Sequence, residues 1–444
     1  MAAQLSVNDG KRWKAPFFTI WGGQALSILG SQLVQFALIW HLTVQTGSAT
    51  VLATASLAGT LPQVILGPFV GTLVDRWNRR RVMLLADTVI TFATTVLAGL
   101  FALGSVTIWH IYVVMFIRSL LSSFHGNAMS ASTSLMVPVE HLTRIQGVNQ
   151  MLNGGLNVIS APLGALLLGM VPIQGVLMID VITAMFAILP LVVTQIPQPA
   201  RIDSGKAGGE EKSTVWQDFR AGFQYVLGWS GLLMVGLMTV GINFTIIPAY
   251  SLLPLMVKEH FGGSAIDLSW VESAMGIGTI VGGAVLGVWG GFQRKIVTSM
   301  MGLMGMGAAT LILAVAPASA LPLVISGALL FGVMNPMTMG PFFAIIQSKV
   351  EPDMQARIMT LLSSVGGGIA PIGLIIAGPV AEWAGIQAWF LLAGSLCILM
   401  GTSGLFIPAV MNIEQNRASS EHTGLRVHPR RKQAVPTGAN DALP

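Results

Sequence analysis

Cysteine occurs once in 444 residues, at Cys397, so no disulfide can form within the chain. Charge is almost as scarce: Asp, Glu, Lys and Arg make up 9% of residues, where a soluble domain carries about 25%. No Gly-x-x-x-x-Gly-Lys-Ser/Thr loop is present to cradle a nucleotide. No Gly-x-Ser-x-Gly elbow is present to expose a nucleophile. The seven histidines and one cysteine show no metal-ligand spacing. Polar segments are too short to hold a nucleotide domain. These absences argue against an ATP-driven machine, a hydrolase and a metal centre, and no enzyme activity, metal or organic cofactor is expected.

What the chain has instead is apolar length. Hydrophobic residues make up 53%, and 51 glycines accompany them; small residues let membrane helices approach closely. About 20 apolar residues span a bilayer, and twelve such runs are found: 17–43, 49–73, 82–104, 107–130, 143–168, 174–195, 221–256, 266–290, 295–315, 321–347, 357–381 and 386–411. The first follows Lys11, Arg12 and Lys14 but is too long for a signal-peptide core and lacks a cleavage site, so it reads as an uncleaved helix. The predicted fold is an all-α integral membrane protein of two six-helix bundles, 1–195 and 221–412. A linker at 196–220, with a short amphipathic piece before the seventh run, and a disordered tail at 413–444 complete it.

A net charge of +5 would suggest nucleic acid in a soluble protein, but here placement matters more. With both termini in the cytoplasm, 21 of the 23 Lys and Arg fall on that side, as cytoplasmic loops require. Lys258 alone falls opposite, and Arg118 lies inside a run. No nucleic-acid partner is expected. The lipid bilayer of the cell membrane is the surrounding partner, and the expected oligomeric state is a monomer.

The halves repeat. Ala161-Pro162-Leu163-Gly164 with Gly169 and Ala370-Pro371-Ile372-Gly373 with Gly378 share one pattern in the fifth and eleventh runs. Six is even, so both halves have the same orientation, a parallel repeat of the kind seen in major facilitator transporters.

The densest charge in the chain carries a resemblance. Gly71-x-Leu73-x-Asp75-Arg76-x-x-Arg79-Arg80 resembles the loop between helices two and three of the major facilitator superfamily, which has glycine where this chain has Asn78. The equivalent second-half loop, from Gly287 to Lys295, keeps glycine and a basic pair but lacks the acid. A narrower resemblance, to the macrolide-efflux or drug:proton antiporter branch, lies in Ile20-Trp21-x-Gly23-Gln24-Ala25, Thr46-Gly47-Ser48-Ala49, Phe116-Ile117-Arg118-Ser119 and Ile179-Asp180-Val181. It implies export of an amphipathic small molecule coupled to proton entry, with the proton gradient as energy source. It also implies that Asp75 latches the cytoplasmic side, with Gly71, Arg76, Arg79, Arg80 and Asp87 around it. A sugar or metabolite importer, or a non-transporting membrane sensor or assembly protein, remains the alternative.

Charges inside the runs are functional candidates because insertion costs about 2.5–3.5 kcal/mol each. Proton coupling needs a group that changes charge, and Asp180 and Glu272 are the first candidates. His125 is next, with a reference pKa near 6.5. Arg118, Ser122 and His125 fall at i, i+4 and i+7 on one helix face, which is expected to line a cavity or meet an acid. Polar stripes mark the remaining cavity wall: Gln24, Ser27, Ser31 and Gln35 in the first run, Asn149, Asn153 and Asn157 in the fifth, and Asn243 in the seventh.

Overall fold

The computed structural model describes residues 13–194, 196 and 215–415. Among these, no strand occurs and every long element is a helix. Six helices form the first bundle: α1 (Lys14–Thr46), α2 (Ala49–Arg76), α3 (Arg79–Ala102), α4 (Ile108–Met136), α5 (Val139–Met170) and α6 (Ile173–Val193). In the second bundle an amphipathic α7 (Val215–Gly228) precedes α8 (Ser230–Ser251). A short turn of helix, α9 (Leu253–Leu255), runs into a π-helical turn, Met256–His260. Then come α10 (Ala265–Trp289), α11 (Lys295–Val315), α12 (Leu321–Lys349), α13 (Pro352–Ala384), α14 (Ile386–Phe406) and the four-residue α15 (Pro408–Met411).

Twelve helices are therefore long, six in each bundle, and eleven of them are long and apolar enough to cross a membrane. The exception is α4, which carries Arg118 and a hydroxyl-rich second half. Short turns force neighbours antiparallel. The starts of α1, α3 and α5, and the starts of α8, α11 and α13, lie on one face, here the terminal face. The α1–α2 turn and the π-helical turn lie on the opposite, distal face.

Two sequence expectations change. The seventh run, 221–256, is interrupted at Trp229, whose ring is buried where α7 meets α8. Apolar length alone does not reveal such a break. The tail was expected to begin at 413, but Ile413 is fully buried and Glu414 accepts a hydrogen bond from the Ile296 N–H at 2.9 Å. The remaining tail, 416–444, and most of the linker, 197–214, lie outside the described residues.

The bundles meet along two seams, α2 against α13 and α5 against α10. From mid-height to the distal face one apolar core runs through both bundles, joining Leu38, Leu42 and Leu52 to Leu252, Ala377 and Ala381. Toward the terminal face the cores separate. One, around Val70, Met83 and Leu191, belongs to the first bundle, and another, around Trp229, Ile345 and Ile358, to the second. The two halves are sealed distally and parted at the terminal face.

Within the second bundle, glycine sets the closest approach. A Cβ on Gly332 of α12 would strike the Met275 carbonyl of α10, and one on Gly278 would strike the Leu329 carbonyl of α12. Overpacking of this kind costs about 1–3 kcal/mol. Gly332→Ala is expected to lower the melting midpoint in detergent. Gly283→Ala, where an added Cβ meets nothing within 4 Å, is expected to hold or raise it. Equal midpoints for the two variants would remove this crossing from the packing argument.

Candidate functional site

The first bundle surrounds a buried ion pair. Arg118 and Asp180 are 7% and 2% exposed. Arg118 Nη1 donates to Asp180 Oδ2 at 2.6 Å and lies 2.6 Å from Thr94 Oγ1. Arg118 Nη2 reaches the Ser31 carbonyl at 3.4 Å, and Ser31 Oγ donates to Asp180 Oδ1 at 3.3 Å. One guanidinium thus ties α1, α3, α4 and α6 together. Gly30 makes room for it: a Cβ there would strike Thr183 Oγ1 and crowd Asp180.

Below it, toward the terminal face, sits a second cluster. Gln24 Nε2 donates to Asp87 Oδ2 at 3.2 Å. His125 Nε2 stands 3.4 Å from Asp87 Oδ1, within charge contact but misaligned for a hydrogen bond, and is otherwise unpartnered. The face of Arg118, Ser122 and His125 lines a cavity, and its two basic residues each lie beside an acid.

That cavity is about 670 Å³ and lies between the bundles, with Gln24, Ser27, Ser31, Gln35, Asp87, Arg118, His125 and Asp180 in its wall. It continues past Gln32, Gln35, Ser56 and Ser251 into a chamber of about 470 Å³ lined by Asn157, Ser160, Tyr250 and Glu272. Glu272 makes no hydrogen bond or ion pair with the other described residues, and it lines this space. A side pocket of about 320 Å³ opens past Gln24 and His125 to Asn149, Gln146 and Asn153. Around the connected space, three carboxylates face one guanidinium and one imidazole, a balance that favours cations.

Not every candidate joins this site. Asn243 Nδ2 donates to the Thr239 carbonyl one turn back at 2.9 Å and lines none of these spaces. Asn149 accepts from Trp21 Nε1 at 2.7 Å, so it ties α5 to α1 as well as lining the side pocket. Asp87, grouped by sequence with the arginine loop, belongs to the cavity instead. Arg80 donates to the Leu191 carbonyl at 2.6 Å and to the Val192 carbonyl, satisfying the open end of α6. Arg79 donates to the Ala131 carbonyl of α4 at 2.8 Å. Gly71 lines a separate terminal-face pocket of about 440 Å³. The side chains of Asp75 and Arg76 lie outside the described residues. Asn78, at the position of the resembling loop's glycine, caps α3 by accepting from the Arg81 N–H at 3.1 Å.

Sequence reasoning missed Ser56, Thr60 and Gln63, which line the cavity from α2. Their i, i+4, i+7 spacing is the signal that would have found them. Thr94 had no such signal, since a lone hydroxyl in an apolar run is common in membrane helices.

Comparison with known proteins agrees with this geometry. The family model of the Major Facilitator Superfamily matches residues 20–373 and, in a second match, 249–432. Macrolide efflux protein A of Streptococcus pyogenes is 33% identical over 87% of this chain and 94% of its own. Macrolide efflux protein A of Enterococcus faecalis is 30% identical over 74% of this chain and 100% of its own. The multidrug efflux pump Tap of Mycolicibacterium fortuitum is 23% identical over 87% and 94%. Among solved structures, a variant of the nucleoside transporter NupG superposes with a TM-score of 0.67 at 12% identity, covering 87% of this chain and 98% of that one. A repeated pair of six-helix bundles around a charged central cavity, and a family match across most of the sequence, place this chain in the Major Facilitator Superfamily.

Proposed function

We propose that the chain exports amphipathic small molecules, macrolide-type drugs among them, in exchange for protons, by alternating access from a cell membrane with both termini in the cytoplasm. The observation that carries this reading is the cavity between the bundles, open toward the terminal face and lined by amides, hydroxyls and carboxylates. A transporter that collects its cargo from the cytoplasm needs that side accessible and the distal side shut. The efflux relatives support the direction and the substrate class.

Two acids divide the work. Asp180 holds Arg118 only while ionised, so a proton arriving there releases the guanidinium and frees four helices to move. Glu272, facing the chamber without a partner, takes either a proton or the ammonium of an amphipathic amine. Competition of proton and cation for one carboxylate produces exchange. Asp87 and His125 lie beside the side pocket, on a route from the terminal face toward Asp180. One proton crossing about 100 mV releases about 2.3 kcal/mol. At about 1.4 kcal/mol per decade, that sustains a roughly fiftyfold gradient of a neutral cargo, whereas one-for-one exchange with an ammonium moves no net charge and is driven by the pH difference alone.

A pump-deficient host expressing the chain is expected to tolerate macrolides better, and an uncoupler is expected to abolish the gain. Unchanged susceptibility across a panel of macrolides and cationic dyes would sink the substrate class. In proteoliposomes, Asp180→Asn and Glu272→Gln are each expected to abolish proton movement on substrate addition; normal proton movement in both would overturn the coupling assignment. Arg118→Gln alone leaves a buried carboxylate unpaired, a loss of about 3–5 kcal/mol. Arg118→Gln combined with Asp180→Asn is expected to recover thermal stability without transport, as a melting curve and a flux assay on the same preparation would show.

A further inference from the structure

The distal seal includes one two-residue turn. Gly47 and Ser48 join α1 to α2, so the carbonyl end of one helix and the N–H end of the next lie side by side. Helix ends carry opposite partial charges, negative at the carbonyl end and positive at the N–H end. Both are met by charges from the other bundle. Lys258, in the π-helical turn, places Nζ 3.4 Å from the Thr43 carbonyl and 3.2 Å from the Val44 carbonyl, at the end of α1. Glu382, near the end of α13, accepts from Ser48 Oγ at 2.6 Å and from the Thr50 N–H at 3.1 Å, at the start of α2.

Polarity is matched at both ends: a cation on the negative end and an anion on the positive end. The residues contacted are the caps themselves. Gly47 closes α1 in the left-handed region at φ 57°, donating to Thr43 O, and Ser48 caps α2 by accepting from the Val51 N–H at 3.3 Å. Glu382 and Ser48 together satisfy two of the four orphan donors of α2. One turn before Glu382, Gly378 lets the backbones touch: a Cβ there would lie 2.7 Å from Thr50 Cα. That contact fixes Glu382 over the α2 terminus. Lys258 also lies 3.3 Å from Glu259 on its own turn, so Glu259 draws some of its charge away from α1.

We propose that Lys258 and Glu382 form an inter-bundle clamp on the Gly47–Ser48 turn, holding the distal face shut and setting how often the protein opens outward. Opening that face separates α2 from α13, so the Glu382 contacts must break. Lys258 must release α1 in the same movement, because the two helices share one tight turn. The inference rests on the alternating-access reading, but not on which substrate is carried.

The test uses the full chain in lipid nanodiscs without substrate. Spin labels are attached through Ser105→Cys and Ser319→Cys, on distal loops of the two bundles, in a Cys397→Ala background, and distances are measured by double electron–electron resonance. Glu382→Ala and Lys258→Met are each expected to raise the long-distance fraction about fivefold. Glu382→Gln, which keeps an acceptor but loses the charge, is expected to fall between, and Glu259→Gln to leave the fraction unchanged or lower it. Gly378→Val, which wedges the seam with both charges in place, checks that the labels report opening. Unchanged distances in Glu382→Ala and Lys258→Met, with lengthening in Gly378→Val, would overturn the clamp. Should either strong variant fail to fold, Glu382→Gln and Lys258→Gln decide by the same reading. Because no substrate is present, a wrong substrate class leaves this result standing, and a failed clamp leaves the substrate assignment standing.

Discussion

An arginine buried among helices must be given its counter-charge by the protein itself. Arg118 gets one from Asp180, and the first bundle is arranged around that supply. Four helices converge on the guanidinium through Asp180, Thr94 and the Ser31 carbonyl. Such a pair is weak evidence for stability, because desolvation offsets much of its attraction. Its value lies in the cost of disturbing it: change the charge of one partner and the other must find a new arrangement. That makes the pair a joint whose two halves depend on each other.

The halves share a plan but not a distribution of charge. Among the described residues that line the two connected cavities, Asp87, Arg118 and Asp180 belong to the first bundle, while the second contributes Glu272. The second bundle is instead packed closely through glycine, as at Gly278 and Gly332. At the terminal face the difference is resolved by borrowing. The second-half loop lacks the acid of its counterpart, and Glu414, from the far end of the described residues, caps the start of α11. In the first bundle Arg80 closes the end of α6. The arginine loop is therefore partly a set of caps, holding the bundle to which it belongs.

Much of this was legible because lipid imposes harsh rules. A span needs a certain apolar length, and a charge in it needs a reason, so twelve spans and the short set of internal charges could be read directly. Helical periodicity placed Arg118 and His125 on one face. It did not say that Arg118 would meet Asp180, because that contact depends on how helices separated by 62 residues pack. Sequence proximity misled for Asp87, which lies six residues past Arg81 yet points into the cavity. Asn243 misled differently: its amide bonds one turn back along its own helix, which a polar residue in an apolar run gives no sign of. The break at Trp229 was hidden because both flanking segments are apolar enough to read as one.

The Arg118–Asp180 pair has a consequence in time. Synthesis runs from the N-terminus at roughly 5–20 residues per second, so α4 is made roughly 3–12 s before the 62 residues that carry its counter-charge are complete. Among the twelve long helices of the described residues, α4 is the one whose composition, not its length, falls short of the apolarity of a membrane span. The residue pair that joins four helices of the finished bundle thus spans two separate moments of synthesis.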